Sequence, residues 1–193
     1  MKLLLIRHPK PDVPLGLCYG QTDVPLVEDW FADAKAISSC LATQYADVQW
    51  QFFHSPLSRT ALLAKAIAPH SDAVDAIKEI DFGEWESRLW QDIPKAEIDQ
   101  WGADLAHAAP YDGESLTALT KRVMGWLEGV IATDQDTVLV THSGVIKVLV
   151  AELCGIPLTH CHCFNPSYST ITELELGPGY AVLQRLGAGD WAK

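Results

Sequence analysis

Six short apolar runs recur along the chain, at Leu3 to Ile6, Val48 to Phe53, Ala73 to Ile77, Val138 to Val140, Ile171 to Leu176 and Ala181 to Leu186. Each is too short for a buried helix and fits a buried strand. Helical patterns lie between them. Trp30, Ala34, Ile37, Leu41 and Tyr45 share one helical face, as do Leu116, Leu119, Val123, Leu127 and Val130. Strand and helix in alternation predict an α/β fold, a three-layer α/β/α sandwich whose central sheet is mostly parallel, with helices on both faces. The last two runs are expected to pair as a hairpin across the Gly177-Pro178-Gly179 turn. No repeat or linker divides the 193 residues, so one domain over 1–193 is expected.

Composition narrows the class. Hydrophobic residues make up 48% and charged residues 20%, which excludes a disordered or coiled-coil chain. Fourteen Lys and Arg against twenty-five Asp and Glu leave a formal −11, which repels phosphate backbones and argues against nucleic acid or an anionic membrane as partner. An anionic ligand therefore needs a local basic pocket. Five cysteines without a paired spacing, and an amino-terminal apolar run shorter than a signal-peptide core, point to a cytoplasmic setting.

The chemistry sits where the runs end. Leu3 to Ile6 runs into Arg7-His8, Phe52-Phe53 into His54-Ser55-Pro56-Leu57-Ser58-Arg59, Val138 to Val140 into Thr141-His142-Ser143-Gly144, and Ala73 to Ile77 leads to Glu79. In an open parallel sheet, ligands bind at the carboxyl ends of the strands, so these ends deliver two histidines, two arginines and a carboxylate to one crevice. Arg7 and Arg59 suit phosphoryl oxygens through bidentate guanidinium forks. A neutral imidazole is a competent nucleophile toward phosphorus, and one of the two histidines can form a phosphohistidine without a metal. Glu79 can protonate a departing alkoxide, with Asp81, Glu84 and Glu86 as rivals near it in sequence. Ser55 and Pro56 read as the N-cap and first-turn proline of a helix that would place free amides beside the anion. The proline-rich segment from Pro9 to Pro25 reads as an ordered irregular loop of the kind that carries function.

Leu5-Ile6-Arg7-His8, Ser55-Pro56-Leu57-Ser58-Arg59, the run Glu79-Ile80-Asp81-Phe82-Gly83-Glu84-Trp85-Glu86, Gly113-Glu114-Ser115 and Val140-Thr141-His142-Ser143-Gly144, in this order, resemble the histidine phosphatase superfamily with its phosphoglycerate mutase-like fold. The resemblance implies that His8 is the phosphorylated nucleophile, that Arg7, Arg59 and His142 hold the phosphate, and that Glu79 is the proton donor. It implies a small phosphorylated metabolite as partner and no cofactor. The loop from Gly16 to Leu26 and the late Cys163-Phe164-Asn165-Pro166-Ser167-Tyr168 are most similar to α-ribazole phosphatases of cobalamin biosynthesis, which remove the 5′-phosphate of a benzimidazole ribonucleoside. That narrower resemblance makes Tyr19, Gln21 and Trp85 candidate substrate contacts, and makes the segment around 84–112, with Trp85, Trp90, Trp101 and Tyr111, the substrate-covering one.

Two positions depart from the pattern. Pro9 stands where glycine usually follows the histidine and removes that backbone N–H, and Ser87 replaces a second glycine. The alternatives among enzymes are a broad-specificity small-metabolite phosphatase and a phosphoglycerate mutase; the mutase is disfavoured because it needs extra basic residues for a substrate carboxylate, for which Lys10 and Arg88 are the candidates, and because the connecting segment is short. From another class, a catalytically silent phosphate-binding module is the reading that Pro9 keeps open. No metal site is expected: adjacent ligands in His160-Cys161-His162-Cys163 fit a tetrahedron poorly. His54 is read as touching the pocket rim or filling a strand end, and is left out of the catalytic set. The Asp134-Gln135-Asp136-Thr137-Val138 run precedes a strand and so lies at the wrong end of the sheet for a nucleophile.

Overall fold

Alternate residues of a strand face opposite sides of its sheet, and the amino-terminal run uses both sides. The computed structural model describes residues 1–68 and 70–189. In it β1 (Lys2–Arg7) sits inside a six-stranded sheet. The other strands are β2 (Gln51–His54), β3 (Asp72–Ala73), β4 (Thr137–Thr141), β5 (Ile171–Gly177) and β6 (Tyr180–Ala188), in the order β3-β2-β4-β1-β5-β6. The first four in that order run parallel, and β5 and β6 close the far edge antiparallel to their neighbours. The hairpin turn carries Pro178, whose ring fixes φ, and Gly179 at φ 77°, a left-handed conformation that favours glycine.

The helices are α1 (Trp30–Gln44), α2 (Ser58–Ile67), α3 (Lys95–Ala103), α4 (Leu116–Ile131) and α5 (Ser143–Leu153). Leu3, Leu5 and Leu139 pack with the apolar stripes of α4 and α5, while Leu4, Ile6, Val138 and Val140 pack with those of α1 and α2. This is the three-layer α/β/α sandwich with a mostly parallel sheet that the periodicity predicts. A third, smaller cluster of Cys18, Trp85 and Ile93, flanked by Phe82, Trp90, Ile98 and Trp101, lies under the segment that contains α3.

Two local expectations are corrected. Ala73 to Ile77 is not one strand: β3 ends at Ala73, and Asp75–Ile77 forms a 3-10 turn. The Val74 amide makes a last bond to the His54 carbonyl (2.8 Å), and Thr141 Oγ1 then donates to the Ile77 carbonyl (2.9 Å), pulling the chain across β2 toward the end of β4. Ser55 and Pro56 do not start α2 either. Leu57 keeps extended ψ of 140°, and the helix begins at Ser58, whose amide and hydroxyl donate to Asp23 Oδ1 (2.9 and 2.7 Å) from the Pro9 to Pro25 loop.

Candidate active site

The ends of β1 and β4 put His8 and His142 side by side. Both are buried, at 2% and 0% exposure, with ring centroids 5.2 Å apart in an edge-on arrangement. His8 Nδ1 lies 2.7 Å from the Pro9 carbonyl. A carbonyl only accepts, so Nδ1 carries the hydrogen, and Nε2 presents a lone pair. Burial lowers the His8 pKa well below its ordinary value, and the Arg59 and Arg7 guanidiniums lower it further, so the ring is neutral at pH 7. The proline that removes a backbone N–H thus supplies the carbonyl that fixes the tautomer.

His142, the residue before α5, is held by Ser55, with Nε2 2.8 Å from Ser55 Oγ. Burial, then the guanidiniums of Arg59, Arg7 and Arg122, keep it neutral as well. Arg59, in the first turn of α2, has no solvent exposure and donates to the Thr22 (2.9 Å) and Gly20 carbonyls. Arg7 donates to the Pro166 carbonyl (2.7 Å) and lies 3.8 Å over the Tyr168 ring. Among the described residues, five buried side-chain nitrogens lack a hydrogen-bond partner, and three of them are Arg7 Nε, Arg59 Nε and His142 Nδ1. Unmet buried donors are costly, and a cluster of them around a neutral imidazole is suited to an anion with several acceptor oxygens.

Glu79 closes the other side. Its Oε1 accepts from the Ile80 amide (3.0 Å) and its Oε2 from the Gly144 amide (3.1 Å) at the start of α5. A Cβ at position 144 would overlap Glu79 Oε1, so glycine is what lets the carboxylate in. Arg122 holds the approach. It grips Glu114 through two nitrogens (3.0 and 2.7 Å) and donates to the carbonyls of Ala76, Lys78 and Glu79 (2.8, 3.1 and 3.3 Å). The three rival carboxylates point to other tasks or to none: Glu86 accepts from the amides of Gln21, Thr22 and Phe82 and from the Thr22 hydroxyl, Asp81 accepts from the Gly83 amide, and Glu84 lines a cavity within the 84–111 segment. Burial works against the Glu86 charge, but these hydrogen bonds outweigh it and lower its pKa.

The three weaker candidates divide. Gln21 Nε2 donates to the Glu79 carbonyl (3.3 Å), beside the site. Tyr19 shares a 2.8 Å hydroxyl contact with Tyr168, and its ring lies 5.4 Å from the Arg59 guanidinium. Trp85 is 2% exposed, T-packed against Trp90 and Trp101, and bonded through Nε1 to Glu97 (2.7 Å), which makes it a strut of the third cluster. Arg88 donates to the Asp92 carbonyl within the same segment. His160 to Cys163 lie in a 3-10 turn with Cys161 in the core. Among the described residues no group of three His, Cys, Asp or Glu could hold a metal ion. No helix is long and apolar enough to cross a membrane among them. Arg122 was not singled out by the sequence, which offered Ser55 as a helix cap, Glu86 as a rival acid and Tyr168 as part of the carboxyl-terminal resemblance. Gly113-Glu114-Ser115 was the one signal that reached toward Arg122.

Residues 3–189 match the model of the histidine phosphatase superfamily (branch 1). The chain belongs to that superfamily. It is a phosphoric monoester hydrolase. It is 26% identical to an adenosylcobalamin/alpha-ribazole phosphatase of Salmonella typhimurium, over 97% of this chain and 96% of that one. It is also 26% identical to a glucosyl-3-phosphoglycerate phosphatase of Mycolicibacterium vanbaalenii, over 81% and 76%. Among solved structures, the alpha-ribazole phosphatase of Shigella flexneri superposes with a TM-score of 0.86 at 26% identity, covering 97% of this chain and 96% of that one. This histidine phosphatase therefore has the phosphoglycerate mutase-like fold.

Proposed function

We propose that the protein hydrolyses α-ribazole 5′-phosphate through a phosphohistidine at His8, without a metal. The observation that carries the mechanism is the pairing of a neutral His8, its Nε2 lone pair free, with the unmet Nε–H donors of Arg7 and Arg59 and the unpartnered Nδ1 of His142. In the first half, Nε2 attacks phosphorus in line, the P–O bond to the alcohol breaks, and protonated Glu79 delivers its proton to the departing oxygen. The guanidiniums and the His142 ring hold the phosphoryl oxygens throughout. In the second half, the Glu79 carboxylate takes a proton from water, the water oxygen forms the new P–O bond, and His8 leaves as neutral imidazole. Phosphate departs and the starting state returns.

The substrate is supported by the loop and carboxyl-terminal resemblance and by the relatives from Salmonella typhimurium and Shigella flexneri, which are named for α-ribazole. The segment around 84–112, with its tryptophans packed as a unit, covers the leaving-group side in this reading. The test is phosphate release in EDTA from α-ribazole 5′-phosphate, 3-phosphoglycerate and p-nitrophenyl phosphate, by the wild type and His8→Ala. A preference for α-ribazole 5′-phosphate that vanishes in the variant is expected. Equal, weak release from all three would overturn the substrate, and release by His8→Ala at wild-type rate would overturn the mechanism.

A further inference from the structure

Next to the phosphate site is a cavity of about 150 Å3, and Glu79 and Gly144 belong to both. Glu79, which the proposed mechanism sets beside the leaving oxygen, thus forms part of its wall. Its walls are apolar and aromatic where Phe82, Trp101 and Leu116 line it. One cation breaks that pattern. Lys147, one turn into α5, lines the cavity half-buried and forms no hydrogen bond or ion pair among the described residues. A half-buried ammonium without a protein acceptor keeps water on its exposed side and has N–H donors to offer a ligand in the cavity.

The walls and the charges select among acceptors. A carboxylate in this cavity would be repelled by Glu79 once the Glu79 proton has gone to the leaving oxygen. A flat heterocycle suits aromatic walls and offers an unprotonated ring nitrogen, a neutral acceptor that Glu79 does not repel. Burial lowers the Lys147 pKa, yet either protonation state of the amine donates.

We propose that this cavity receives the heterocyclic base of the substrate, and that Lys147 sets specificity by donating a hydrogen bond to an unprotonated nitrogen of that ring. This rests on the substrate reading above and adds to it the residue that recognises the base.

Ribose 5-phosphate, which keeps the sugar and the phosphate and lacks the base, is the reference. The quantity to measure is the ratio of kcat/KM for α-ribazole 5′-phosphate to that for ribose 5-phosphate, in wild type, K147M and K147R. K147M is expected to lower the ratio about tenfold, and K147R, which keeps a donor, to restore part of it. Should K147M fail to fold, K147Q reads the same ratio with a smaller expected drop. A wild-type preference left intact in K147M or K147Q overturns the role of Lys147 while leaving the substrate standing. A wild type that turns over both substrates equally overturns the substrate and the occupant of this cavity together.

Discussion

At the scale of single residues, the two neutral histidines carry a consequence for stability as well as for chemistry. Their folded pKa values are depressed by burial and by the neighbouring guanidiniums, whereas in the unfolded chain they titrate near 6.5. Below that pH the unfolded state binds more protons, so stability is full above about pH 7.5 and falls as pH drops, by up to about 1.4 kcal/mol per pH unit for each histidine. Urea unfolding at pH 7.5 and 5.5 should show a smaller loss in a His8→Asn, His142→Asn double variant than in wild type, and equal losses would contradict the buried neutral pair. Gly144 offers a second check, because an added methyl must push Glu79 out of place. Gly144→Ala should reproduce the signature of Glu79→Gln, with kcat lowered about a hundredfold for an alkyl phosphate and far less for p-nitrophenyl phosphate, whose leaving group needs no proton. Steady-state kinetics on the two substrates decides it.

At the scale of elements, the strand ends were legible because a buried run followed by Arg, His or Ser is a local pattern. The supports of those side chains were not. Ser55 reaches His142 across 87 positions, Arg122 reaches the Glu79 carbonyl across 43, and Glu86 takes the Thr22 amide across 64. Nothing in the local sequence of either partner announces such contacts. The start of α2 shows the same limit: Ser55-Pro56 has the composition of a cap, but Ser55 is engaged with His142, and Asp23 from a distant loop supplies the carboxylate. Asp23→Ala should therefore cost about 1 kcal/mol of stability, as a lost cap does, and also raise KM, because Arg59 sits in the turn that Asp23 anchors. A lower urea midpoint with unchanged KM would separate the cap from the site. Ser87, at φ 65° with its amide bonded to the Cys18 carbonyl (2.8 Å), holds a left-handed conformation that favours glycine.

At the scale of the whole molecule, a chain of formal charge −11 gathers two arginines and two neutral imidazoles at one end of its sheet. Composition argued against large polyanions as partners, and the strand pattern pointed to the small basic pocket that a phosphorylated metabolite needs. The sandwich itself was readable because opposite faces of β1 and β4 feed two separate cores. The tryptophans of the 84–112 segment were legible as a group but not in their arrangement, since Trp85 turns inward to Glu97 while Trp101 faces the cavity beside Glu79. The proposed chemistry through His8 unites these levels, and trapping the phosphoenzyme tests it most directly. Turnover of labelled substrate is quenched in alkali, where phosphohistidine survives, and the labelled peptide is sequenced by mass spectrometry. A phosphoryl group on His8 in the wild type, absent from His8→Ala, is the expected result; label on another residue, or turnover with no phosphoenzyme, contradicts it.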